Sequence, residues 1–176
     1  MIFHATELKD ARLIELNYIR DERGFFARSF CAREFAEAGL VNTFVQQNSS
    51  QSLVKGAFRG LHWQRPPHGE VKVMRCLRGA VFQVIVDMRP DSPTYRKWQG
   101  FELSADNRLQ LYVPEGFANG YQALTDEAEV AYFVSRAYTP GAEAGLRHND
   151  PAIGISLPVP VTVLSEKDRQ WPDFFG

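Results

Sequence analysis

Helical periodicity is nearly missing from this sequence, and that scarcity limits the folds open to it more than any other feature. The best helical candidate is "CAREFAEAGL" at 31–40, short and closed by Gly39 as a stop signal. Most of the remainder reads as short apolar runs punctuated by Gly, Pro, Asp and Asn: "VKVMRCLRG", "AVFQVIVDMRP", "RLQLYVPEG" and "AEVAYFVSRAYTPG". Such spacing is that of an all-β sandwich or barrel. In "RLQLYVP", Leu109, Leu111 and Val113 share one face and Arg108, Gln110 and Tyr112 the other, the alternation of a half-buried strand. In "AYFVS", Tyr132 falls on the same face as Val130 and Val134, which sends a phenol inward, where its hydroxyl needs a partner or a task.

A chain of 176 residues with 44% apolar side chains can bury its own core, and no linker divides it, so one domain spanning 1–176 is expected. Twenty Lys and Arg against 21 Asp and Glu leave a formal charge of −1. No global field therefore recruits nucleic acid or an anionic membrane, and an anionic ligand must be held by a local cluster. Cys31 and Cys76 are the two thiols, without the spacing of a zinc site or a disulfide framework, which fits a reducing compartment. The first 24 residues break their apolar positions with charges, and no run approaches the ~20 apolar residues of a membrane helix. A soluble, cytoplasmic protein is expected.

The stretch "GAFRGLHWQ" at 56–64 places His62 six positions after Gly56. This resembles the first half of the metal motif of cupins, G-x5-H-x-H followed by a Glu and, later, P-x-G-x2-H. Here Gln64 stands at the second histidine, and Asn119 stands at the last one after Pro114 and Gly116. Only His62 and Glu70 remain of four nominal ligands, and amides are poor donors for the metals that imidazole sites favour, so no metal is expected. A hydrogen-bonded core histidine is the plainer reading of His62 alone. Arg59, Lys72 and Tyr132 tilt the balance, since they supply acid–base and anion-binding groups to the same interior.

Six ordered landmarks carry a broader resemblance: "DERGFF" at 21–26, "FVQQN" at 44–48, "RGLHWQ" at 59–64, "VPEGFANGY" at 113–121, "NDPAIGI" at 149–155 and "LSEKD" at 164–168. Together they are similar to the dTDP-4-dehydrorhamnose 3,5-epimerases, cupin-fold enzymes of deoxysugar biosynthesis. The resemblance implies a double-stranded β-helix, or jelly roll, with a few short helices. It implies epimerisation at C3 and C5 of a nucleoside-diphosphate 4-keto-6-deoxyglucose, with no cofactor, in a homodimer that exchanges N-terminal strands. By the same resemblance His62 is the general base, Tyr132 the acid on the other face of the sugar, Asp168 the partner of His62, and Lys72 the group near the C4 oxygen. Arg59, Gln46, Asn48, Asn119, Glu143 and Lys167 fall at substrate-binding positions, and Arg23 at one that reaches a neighbouring subunit's site.

Three positions depart from that family's pattern. Arg28 replaces a glutamate in "FFARS", Gln47 and Ser49 replace an acid and a histidine in "QQNSS", and Asn119 replaces a histidine. Arginine only donates, so Arg28 would suit the acceptors of cytosine rather than the N3–H of thymine, or else turn toward a phosphate or solvent. Loss of the imidazole at 119 leaves open a C3-only epimerase. A keto-isomerase of the same fold and a non-catalytic sugar-nucleotide-binding cupin are the remaining alternatives.

Overall fold

A computed structural model describes residues 1–174. In chain order the elements are β1 (Ile2–Ala5), β2 (Arg12–Glu15), β3 (Tyr18–Asp21), β4 (Gly24–Ala27), α1 (Ala32–Glu37), β5 (Gln46–Ser52), β6 (Phe58–Gln64), β7 (Lys72–Arg78), β8 (Ala80–Asp87), β9 (Trp98–Ser104), β10 (Gln110–Val113), β11 (Phe117–Ala123), β12 (Ala128–Val134), β13 (Glu143–Gly145) and α2 (Glu166–Arg169). Six strands form one sheet in the order β1-β2-β10-β7-β12-β5, five form another in the order β13-β6-β11-β8-β9, and β3 and β4 make a separate hairpin. Antiparallel pairing throughout gives the all-β, cupin-like jelly roll expected above.

The period-two alternation of the strands sorts their side chains into layers. On β8, Val81 and Ile85 face the other sheet and join Met74, Leu111, Phe117 and Val130 in the central core, while Val84 and Val86 point outward. That outer face is not wet. The chain from Leu146 to Leu164 crosses it, and Leu146, Ile153, Leu157 and Leu164 pack on Phe58, Leu61, Val84 and Val86. Behind the six-stranded sheet, Phe35 of α1 packs with Ile14, Val73 and Tyr112.

The strand in "RLQLYVP" is therefore not half-buried as its alternation predicts: all four residues of β10 are buried. Leu111 and Val113 enter the central core, whereas Tyr112 lies under α1, 6.4 Å from the Phe35 ring, with its hydroxyl accepting from the Val41 N–H at 3.2 Å. Gln110 donates to the Ser29 carbonyl at 3.1 Å. The polar face is consumed by the N-terminal layer, and Arg108 precedes the strand with φ +54°. The helix at 31–40 ends as its sequence predicts. Gly39 takes φ +70°, and Leu40 N–H to Phe35 O with Gly39 N–H to Ala36 O, both 2.9 Å, close its last turn. No helix among the described residues is long and apolar enough to cross a membrane.

Candidate functional site

Strict alternation would put Arg59 and His62, three residues apart on β6, on opposite faces of their sheet. They nonetheless line one cleft. The register of β6 against β11 runs from Asn119 opposite His62 to Tyr121 opposite Arg59, so β6 carries one extra residue there. This bulge restores both side chains to the inner face and sends Phe58 and Leu61 together to the outer apolar layer. Gly60 sits within it at φ +114°, and a Cβ on it would fall 2.7 Å from the Asn119 carbonyl oxygen and the Gly120 Cα. Only glycine allows the strands this approach.

His62 Nε2 lies 2.5 Å from Asp168 Oδ1, and the second carboxylate oxygen accepts the Gly60 N–H at 3.2 Å. Asp168 is the third residue of α2, whose N-cap Ser165 accepts the Asp168 N–H at 3.1 Å, so the turn fixes the carboxylate's aim. Burial works against the charge on Asp168, but the hydrogen bonds from His62 and Gly60 outweigh it and hold the carboxyl below its ordinary range. An ionised carboxylate only accepts, so the hydrogen of the pair resides on Nε2, and the Nδ1 lone pair is left to take a proton. Trp171 covers Gly145 and stands edge-on to the imidazole, 6.4 Å between centroids.

His62 also borders a cavity of about 220 Å³ between the sheets. The wall opposite β6 is the six-stranded sheet, which contributes Tyr132 from β12, Lys72 from β7, and Gln46 and Asn48 from β5. Tyr132 pairs with Asn48 across β12 and β5, and Gln46 Nε2 donates to Asn48 Oδ1 at 2.6 Å. Burial raises the Tyr132 pKa, against a smaller opposing pull from Asn48, so its hydroxyl keeps its proton at neutral pH. A base on one sheet thus faces a phenol on the other. Lys72 Nζ pairs with Glu70 Oε1 at 3.0 Å.

The adjoining cleft, about 700 Å³, holds Arg59, Lys167 and Asp168 beside His62. Arg59 is set by donating from Nε to Ser52 Oγ at 3.1 Å and from Nη2 to the Gln51 carbonyl at 2.7 Å. The Ser52 hydroxyl in turn meets the Tyr121 hydroxyl at 3.2 Å. Lys167 pairs with Glu143, which lines the smaller cavity; the pairing raises the pKa of the lysine. Two cations beside a base and next to an enclosed, polar-lined cavity suit a diphosphate-linked sugar.

The family model of dTDP-4-dehydrorhamnose 3,5-epimerase matches residues 5–175. A dTDP-4-dehydrorhamnose 3,5-epimerase of Shigella flexneri is 46% identical over 164 residues, covering 93% of this chain and 90% of that one. The chain belongs to the dTDP-4-dehydrorhamnose 3,5-epimerase family. The crystal structure of such an epimerase from Elizabethkingia anophelis NUHP1 superposes with a TM-score of 0.96 at 41% identity, covering 99% and 96% of the two chains. That of the Bacillus anthracis epimerase, with TDP and PPi bound, superposes at 0.94 and 40% identity over 98% and 99%.

Within this epimerase-family chain, three positions named by the sequence lie apart from the two cavities. Arg23 is 84% exposed at the tip of the β3–β4 hairpin and pairs with Asp21 at 2.5 Å. Arg28 is held at 2.8 Å by Glu34, so of its alternative partners the single chain supplies a carboxylate rather than a base or phosphate. The N-terminal amine of Met1 and Arg28 together bring Glu34 down to about 2. Asn119 is buried and donates its amide to the His62 carbonyl at 3.1 Å, so it ties β11 to β6 and lines neither cavity. Gln64 likewise uses its amide on the backbone of His68, Ala137 and Thr139. Among the described residues no three His, Cys, Asp or Glu side chains are placed to share a metal ion.

Arg136 and Tyr138 also line the smaller cavity without any sequence motif to mark them, as does Glu70, which the sequence offers only as a remnant metal ligand. Arg136 and Tyr138 follow β12 in a turn, where period two no longer indicates direction. For Glu70 a signal was present: it precedes Lys72 by two positions, the spacing that places two side chains on one side of an extended chain.

Proposed function

We propose that the protein epimerises C3 and C5 of a dTDP-linked 4-keto-6-deoxyhexose, a step of deoxysugar biosynthesis, with His62 as base and Tyr132 as the acid on the opposite face. The observation that carries this reading is the His62–Asp168 pair at 2.5 Å, opening on the cavity that Tyr132 and Lys72 line from the other sheet. A hydrogen beside a ketone leaves as a proton only if the oxygen can take the electron pair as an enolate. In this reading His62 Nδ1 removes the proton, Asp168 stabilises the imidazolium that results, and the Lys72 ammonium faces the C4 oxygen as charge builds there. Tyr132 then donates its phenolic proton to the opposite face of the same carbon. The ketone at C4 activates both of its neighbours, so one pair of residues serves both centres once the ring turns over.

Arg59 and Lys167 hold the diphosphate, with Gln46, Asn48 and Glu143 as further contacts. In this reading Arg23, exposed at its hairpin tip, serves the site of a second copy, and the working form is a homodimer. Thymine is the base favoured by the family; Arg28 gives one nitrogen, Nη1, to Glu34 and stays largely exposed, so the CDP-linked sugar is the comparison that decides between the two bases. Incubation of the enzyme with dTDP- and CDP-linked 4-keto-6-deoxyglucose in deuterium oxide, followed by NMR, tests the whole scheme. Deuterium at C3 and C5 of the dTDP sugar is the expected result. Label at C3 alone makes the enzyme a mono-epimerase, and label at neither carbon overturns the reading.

A further inference from the structure

Glu70 is an expensive residue to keep where it is. Its side chain is only 8% exposed, it lines the cavity with His62 and Tyr132, and its one charged partner is Lys72, with Oε1 at 3.0 Å from Nζ. The other oxygen, Oε2, is buried with no hydrogen-bond partner among the described residues. A carboxylate in that state draws its compensation from a single ammonium, and a buried charge that loses its partner is strongly destabilising. It survives from the pattern that in metal-binding cupins supplies an acidic ligand, while Gln64 and Asn119 have become strand and loop tethers.

We propose that Glu70 is a positioning residue for Lys72, fixing the ammonium so that its remaining N–H donors point at the sugar oxygen on which charge develops. The inference rests on the proposed epimerisation and on the place of Lys72 in it. A free lysine side chain has four rotatable bonds and rests in solvent; one tied at Nζ has its donors set before the reaction begins. The backbone reinforces the tie. Val71, between the two residues, donates to Ser135 Oγ at 2.8 Å and accepts from the Ser135 N–H at 3.0 Å, anchoring the segment to the end of β12. The other titratable groups lining the cavity with Lys72 are Tyr132 of the neighbouring strand β12, His62 of β6 on the opposite wall, Arg136, Tyr138 and Glu143.

The test is the set Glu70→Gln, Lys72→Met and the double variant, assayed by deuterium exchange and by kcat and KM. Glu70→Gln keeps the shape and removes the charge. Its kcat should fall about tenfold with KM little changed, a part of the ~10²–10³ lost when a whole oxyanion donor is removed. In the Lys72→Met background the same substitution should cost no further activity. It should raise the melting temperature relative to Lys72→Met alone, by removing a stranded carboxylate. A Glu70→Gln enzyme with wild-type kcat overturns the proposal, and so does an equal loss of activity with and without Lys72. Absence of exchange by the wild-type protein overturns the epimerase reading instead, so the two failures are distinct.

Discussion

His62 and Asp168 meet at 2.5 Å although 106 residues separate them, and the shared proton belongs to the imidazole. Removal of either partner should leave a folded protein with a crippled proton transfer. His62→Ala is expected to cost the ~10²–10⁴ of a general base in kcat. Asp168→Asn should cost less but still substantially, since an amide can present its N–H to Nε2 and trap the wrong tautomer. Rates of deuterium wash-in at C3 and C5 measure both.

Tyr132→Phe separates abstraction from inversion. The phenylalanine keeps the ring that packs against the central core and loses the proton. Label should still enter the sugar from the His62 side while the inverted product fails to accumulate. Inversion at the wild-type rate would remove Tyr132 from the mechanism.

Gly60→Ala probes the bulge that aims Arg59 and His62. The new methyl would lie 2.7 Å from backbone atoms of β11, which cannot yield like a side-chain end. A penalty of about 2 kcal/mol or more follows from the left-handed φ and the overlap together. Calorimetry should record a fall of roughly 4–8 °C in melting temperature. Activity should fall further than stability, because the Gly60 N–H that steadies Asp168 is displaced.

Acid should weaken the fold partly through Asp168. Its folded pKa is depressed, so the unfolded chain takes up the proton more readily. The contribution is present in full above the ordinary carboxylate range and is lost as pH falls from about 4 through the folded value. Melting temperatures measured between about pH 3 and pH 7 should decline on acidification, and more gently in Asp168→Asn than in the wild type.

Arg23 offers a test of the dimer. If it completes a neighbour's site, Arg23→Ala and His62→Ala chains, each inactive alone, should regain activity when unfolded and refolded together. Random pairing places one intact site in each mixed dimer, so about a quarter of wild-type activity should return. No recovery, with a dimer seen by sedimentation, would confine Arg23 to its own chain's turn.

The sequence makes some of this legible and hides the rest for definite reasons. Strands β7, β8 and β12 stand out as apolar runs bounded by turn residues, and Tyr132 points inward as its neighbours Val130 and Val134 require. Strand β5, "QQNSSQS", has no apolar alternation at all, since it lies at the sheet edge and its side chains serve the cavity and Arg59. Only the family resemblance singled out Gln46 and Asn48. The bulge at Gly60 is invisible to any periodicity argument, which would have turned Arg59 away from His62. The pairing of His62 with Asp168 belongs to tertiary structure alone, because no local rule joins β6 to a four-residue helix beyond the last strand.

That helix also divides the chain by task. Both sheets, the central core and the smaller cavity are built from residues before 146, whereas the carboxylate that orients His62 comes at 168. Scaffold and trigger therefore lie in separate stretches of sequence, and a lesion in the four-residue helix can disarm the base while leaving the sheets that hold it intact.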